Sequence, residues 1–123
     1  MTVLITLEEF LGHGGYRPGA GRKGKYGGRQ KPMTMFLSQE HYAFLAAYPG
    51  AENVSDAVRA LCEKYRHQRI APRRVRIVGN DERVHTSITV PHYMREYLIA
   101  LGKGAFVSGV RLLIEMELLK QNR

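Results

Sequence analysis

The sequence predicts a mainly α fold with a two-stranded antiparallel β-ribbon, laid out β-α-α-β-α-α with a pseudo-twofold relation between its halves. Three observations predict it. Two short stretches alternate apolar and polar residues, as a half-buried strand does, and each gives way to stretches whose apolar residues recur every three or four positions, as in amphipathic helices. The second set repeats the first: Leu37 aligns with Val90 and Phe44-Leu45 with Tyr97-Leu98 at an offset of 53, and Val58-Arg59-Ala60-Leu61 with Val110-Arg111-Leu112-Leu113 at an offset of 52. A lone short strand leaves its backbone unpaired and closes no core, so two such strands must pair.

The elements follow in order. Residues 12 to 31 hold eight glycines with Arg17, Arg22, Lys23, Lys25, Arg29 and Lys31 and no acid. Such a stretch cannot bury enough apolar surface to offset its ordering entropy, and residues 1–31 are read as a flexible basic arm. Met33, Met35 and Leu37 then alternate with Thr34 and Phe36 in a first strand that ends at Ser38, a helix N-cap. A helix from Gln39 stops at Pro49-Gly50, and Asn53-Val54-Ser55-Asp56 opens a second whose Val54, Ala57, Val58, Leu61, Cys62 and Tyr65 form one stripe. Residues 67–82 read as a basic linker ending in the turn signal Gly79-Asn80-Asp81, with Val75 and Ile77 as a possible short extra strand. Val84, Thr86, Ile88 and Val90 then alternate with His85, Ser87 and Thr89. Pro91 starts a helix that runs to Leu101 and stops at Gly102, and a last helix covers about Val107 to Leu119. The units are thus 32–66 and 83–123, and the pairing is expected inside one chain, exchange between two chains being the alternative.

Composition narrows the function. At 123 residues the chain is too small for a large multidomain enzyme, and a formal charge of +8 with a pI near 9.9 is the electrostatic footprint of a nucleic-acid binder. Cys62, alone and within an apolar stripe, gives neither a disulfide framework nor metal-ligand spacing. His13, His41, His67, His85 and His92 are scattered, so no metal and no cofactor are expected. Gly19-x-Gly21-x-x-Gly24 satisfies a dinucleotide glycine pattern. However, no strand precedes it, no helix follows, and Tyr26 stands where a phosphate loop needs Ser or Thr. With no nucleophile, base and acid set, an enzyme is not expected. The first residues lack a basic leader and their apolar run is broken by Glu8 and Glu9, which predicts neither a signal peptide nor a membrane span and a cytoplasmic, nucleoid-associated location.

A short amphipathic strand, a helix, a small turn and a second helix resemble the ribbon-helix-helix (MetJ/Arc) family, and residues 32–66 and 83–120 both show it. The openings Ser55-Asp56-Ala57-Val58-Arg59 and Val107-Ser108-Gly109-Val110-Arg111 look like the family's recurrent Ser-x-Ala/Gly-Val/Ile-Arg pattern, the second departing from it at Val107. The segment Gly14-Gly15-Tyr16-Arg17-Pro18-Gly19-Ala20-Gly21-Arg22-Lys23 resembles a tag that precedes many small bacterial, phage and mobile-element proteins. The resemblance implies a tandem ribbon-helix-helix chain whose partner is double-stranded DNA, bound by a β-ribbon in the major groove.

Register then separates the strand faces. With Met33, Met35, Leu37, Thr86, Ile88 and Val90 inward, Pro32, Thr34, Phe36, His85, Ser87 and Thr89 face outward as candidate base readers. The resemblance places phosphate contacts at the starts of the second helices, at Ser55, Asp56, Val107 and Ser108. Arg59 and Arg111 are expected to pair with carboxylates. The function expected is sequence-specific transcriptional regulation, as a repressor on an asymmetric site, aided by backbone attraction from the arm and extended by further copies on DNA. A relaxosome or partition accessory protein, or a charge-driven nucleic-acid binder, are the alternatives.

Overall fold

The computed structural model describes residues 3–11, 32–76 and 83–121. The elements run α1 (Glu8–Leu11), β1 (Met33–Ser38), α2 (Gln39–Ala46), α3 (Val54–Lys64), β2 (Arg83–Ile88), α4 (His92–Leu101) and α5 (Phe106–Gln121). The sheet has two strands, β1 antiparallel to β2, with Thr34 opposite Ser87, Met35 opposite Thr86 and Phe36 opposite His85.

This order corrects the predicted fold class. The chain is not a tandem β-α-α-β-α-α arrangement, because the described residues form five helices and one of them precedes the first strand. The reason is apolar. Leu7 is fully buried, Ile5 exchanges backbone hydrogen bonds with Ile70 (both N–O distances 2.9 Å), and the Phe10 ring meets the Tyr97 ring edge-on at 5.9 Å. Leu7 therefore belongs to the core, with Ile5 and Phe10 packed against it, within the stretch expected to be a flexible arm. Reading the N-terminal residues only against leaders and membrane spans hid an Ile5, Leu7, Phe10 set that a groove beside α4 can bury. Residues 12–31 lie outside the described residues, and so do Ile77 and the Gly79-Asn80-Asp81 turn. Val75, read as a candidate strand residue, sits in an extended segment outside any strand.

Local chemistry accounts for the helix boundaries. Ser38 caps α2, its Oγ accepting from the His41 N–H at 3.2 Å. After α2, Gly50 takes φ of +83°, a left-handed conformation that a side chain would strain. Asn53 caps α3 by accepting from the Asp56 N–H at 2.9 Å. Between α4 and α5 the glycines answer to packing. A Cβ on Gly109 would fall 2.0 Å from the Leu98 carbonyl oxygen and one on Gly102 2.1 Å from that of Ala105, so the two helices meet backbone to backbone.

The core lies between the ribbon's inner face and the helices, and Leu37, Ile88, Leu45, Leu61, Tyr97, Leu98 and Leu113 are all fully or almost fully buried. Cys62 is buried among them, and burial raises its thiol pKa well above the usual range, which leaves it an inert packing residue. One ionic cluster enters this core. Glu117 is 3% exposed and accepts from Tyr65 Oη at 2.5 Å and Lys64 Nζ at 2.8 Å. Burial alone would raise the Glu117 pKa, but these two hydrogen bonds and the Lys64 charge outweigh it and hold the carboxyl below its ordinary value.

Candidate nucleic-acid interface

The period-two pattern of the strands sets one side of the ribbon against the helices and turns the other outward. Thr34, Phe36, His85 and Ser87 are exposed, while Met35, Leu37 and Ile88 are buried. The register brings the outward residues together in pairs. Thr34 Oγ1 and Ser87 Oγ lie 3.4 Å apart, and the Phe36 and His85 rings are 5.0 Å apart at 53°. Phe36 keeps 51% of its surface exposed. The strip thus offers two hydroxyls that can donate or accept, an imidazole and an apolar ring on a rigid ladder.

Pro32 is exposed and lies just before β1. Thr89 is placed differently from the sequence expectation. It follows β2, is half-buried, and has both backbone groups engaged, its N–H donating to Ser55 Oγ at 2.8 Å and its carbonyl accepting from Arg59 Nη1 at 2.9 Å.

The residues expected at phosphates are mostly turned to internal work. Ser55 holds Thr89, and Asp56 binds Arg59 Nη2 at 2.5 Å and the Glu52 N–H at 3.2 Å. Those bonds, the Arg59 one first, keep the Asp56 pKa below its ordinary value. Ser108 is buried, accepting from the Val75 N–H at 2.6 Å and donating to the Arg73 carbonyl at 3.4 Å. Its hydroxyl clamps the connecting segment and does not face outward. Val107 is half-buried and lines a cleft beside β1. The arm residues Arg17, Arg22, Lys23, Lys25, Arg29 and Lys31 lie outside the described residues.

Two clefts flank the ribbon. One, of about 420 Å³ beside β2, is lined by Asn53, Ser55, Arg59, Thr86, Ser87 and Thr89. The other, of about 570 Å³ beside β1, is lined by Met33, Thr34, Phe36, Val107 and three arginines, Arg76, Arg83 and Arg111. Arg111 was expected to meet a carboxylate. Instead its Nη1 donates to the Val75 carbonyl at 3.1 Å and its Nη2 to the Phe36 carbonyl at 2.7 Å, so it laces the connecting segment to β1. Burial first, and the neighbouring Arg83 charge second, lower its pKa from the ordinary arginine value.

Arg76 and Arg83 were missed as surface determinants by the sequence reading. For Arg83 the signal was present: it continues the outward alternation of His85 and Ser87 by one more step of two. For Arg76 there was none, because nothing local says which way an extended connector presents its side chains. Among the described residues no group of His, Cys, Asp and Glu could hold a metal ion, and no single helix is long and apolar enough to cross a membrane. A scan against protein-family models and searches of curated proteins and of solved structures found no match to this chain.

Proposed function

We propose that this protein binds double-stranded DNA sequence-specifically, inserting the outward face of the β1–β2 ribbon into the major groove and acting as a repressor by occupying its site. The observation that carries this reading is the outward strip itself: Thr34 with Ser87 and Phe36 with His85, exposed side by side on a rigid two-stranded ladder. A two-stranded ribbon fits a groove about 12 Å wide, hydroxyls read base-edge donors and acceptors, and an aromatic ring packs on a thymine methyl. The chain's charge of +8 supplies the sequence-independent attraction to phosphates. The motif resemblance of residues 32–66 and 83–120 points the same way.

Because the two strands present different side chains, the preferred site departs from a palindrome. Selection from a random-sequence duplex pool tests the reading. The expected result is one defined, non-palindromic motif. Thr34→Ala with Ser87→Ala then relaxes the preference at the positions they contact, by about 1–3 kcal/mol per lost base contact, with little change in salt dependence. Equal affinity for every duplex would overturn sequence-specific reading in favour of charge-driven binding.

A further inference from the structure

We infer that the cleft between β1 and the start of α5 is a seat for DNA backbone phosphates, formed by Arg76, Arg83 and Arg111, and that the ribbon therefore grips the duplex backbone on one flank only. The inference rests on the DNA-binding reading above and adds where the backbone is held.

Three features carry it. First, the three arginines line one concavity beside the outward strip, together with Thr34 and Phe36. Arg76 comes from the connecting segment, Arg83 from the first position of β2 and Arg111 from α5, so three separate parts of the chain converge there. Second, their charge is not compensated by any described residue. Among the described residues no carboxylate lines the cleft or forms an ion pair with any of the three, although all three would gain from one. Arg76 and Arg83 are exposed, while Arg111 is fixed by two backbone carbonyls, which keeps a charge in place at the cleft wall. Like charges held together without an acid are a standing cost that an anion relieves.

Third, the opposite flank lacks this property. The single cation of the β2 cleft, Arg59, is 2.5 Å from the Asp56 carboxylate. A planar guanidinium matches phosphate oxygens in paired hydrogen bonds, so the ligand chemistry of the β1 cleft is a phosphodiester, and its place at the edge of the outward strip makes it that of the same duplex.

The test is titration of the full chain with a fluorescent mixed-sequence duplex over a range of salt. Arg76→Gln with Arg83→Gln is compared with Arg69→Gln with Lys120→Gln. The control removes the same charge; Arg69 lines neither cleft, and Lys120 lies roughly 20 Å along α5 from Phe106 at 1.5 Å per residue. The cleft pair is expected to weaken binding about 10- to 100-fold near 0.1 M salt and to reduce the salt slope by about 2, the control by less than about threefold. Phosphate ethylation should interfere on one side of the ribbon footprint and not symmetrically.

Equal losses in the two pairs, or symmetric interference, would overturn the inference while leaving DNA binding in place. Failure of the unmodified chain to bind any duplex at low salt would overturn the reading beneath it. A second arm adds inorganic phosphate at matched ionic strength. Stabilisation of the free protein by phosphate over chloride, lost in the cleft pair and without competition against DNA, would assign the cleft to a free anion and sink the backbone assignment.

Discussion

The two flanks of the ribbon carry the same tools and hold different things. Beside β2, Ser55 and Arg59 of α3 grip the N–H and carbonyl of Thr89, the residue that continues the strand. Beside β1, Ser108 and Arg111 of α5 grip the N–H and carbonyl of Val75, which belongs to the connecting segment. The serine lies four residues before its arginine in one case and three in the other. That one-residue displacement has an electrostatic result. The position three before Arg59 is Asp56, which neutralises it, whereas the position three before Arg111 is the clamping Ser108 itself, which cannot. A repeated sequence thus supplies matching side chains, but the backbone that reaches them and one changed residue decide whether a flank is neutral or positive.

Changes that collapse or equalise the flanks break this comparison, and the largest effect is expected from packing. Gly109→Val drives a branched side chain into the Leu98 carbonyl, already 2.0 Å from a built Cβ, and forces the start of α5 away from α4. The unfolding free energy should fall by about 3 kcal/mol or more by urea denaturation. The equivalent position on α3, Ala57, is also fully buried but holds a methyl already, and Ala57→Gly should cost only about 1–2 kcal/mol from helix propensity and the lost methyl.

Glu117→Leu comes next, at about 2–3 kcal/mol, because it leaves the buried Tyr65 hydroxyl without its acceptor and Lys64 without its partner. The same carboxylate sets a pH dependence. Its folded pKa lies below the unfolded value, so its contribution is present above the ordinary carboxylate range and is lost as the pH falls below that range through the lowered folded value. Glu117→Gln should flatten the acid limb of a stability-against-pH curve in that window. A limb of unchanged steepness would remove Glu117 from the account.

Smaller changes sharpen the comparison. Ser108→Ala removes a buried hydroxyl, strands the Val75 N–H in a half-buried place and should cost about 1–2 kcal/mol, with faster amide hydrogen exchange at Val75. Ser55→Ala does the same to Thr89 in a half-buried place and should cost about 1 kcal/mol or less. Smallest in stability is Asp56→Asn, which frees Arg59 and should make the β2 flank positive. Its expected signature is a salt slope for duplex binding steeper by about 1, with ethylation interference appearing on the second side.

What was legible in the sequence was whatever depends on local periodicity and capping. Both strands, the Ser38 cap, the opening of a helix at Asn53-Val54-Ser55-Asp56 and the stop at Gly102 are written in residues that act on their immediate neighbours, although the cap itself is Asn53 and not Ser55. The outward faces of Thr34, Phe36, His85 and Ser87 follow from the same alternation. The contributions that depend on distant chain were not legible. Ile5 and Phe10 find their places against the core beside Ile70 and Tyr97, far along the chain, and the short helix that carries Phe10 is what overturned the predicted layout. The Thr89 backbone took up side-chain partners, and the Ser108 and Arg111 side chains took up backbone partners, 30 to 75 positions away, which no local pattern encodes.

The ribbon's register also bears on time. Phe36 pairs with His85 across nearly half the chain, so β1 must wait for its partner. At a synthesis rate of about 5–20 residues per second, β1 leaves the ribosome on the order of several seconds before β2 does. During that interval its edge is open to any other strand, and a nascent crowd of this protein would be the nearest source of one. The wait should favour low expression rates and slow, late-stage folding, with the outward strip assembled late.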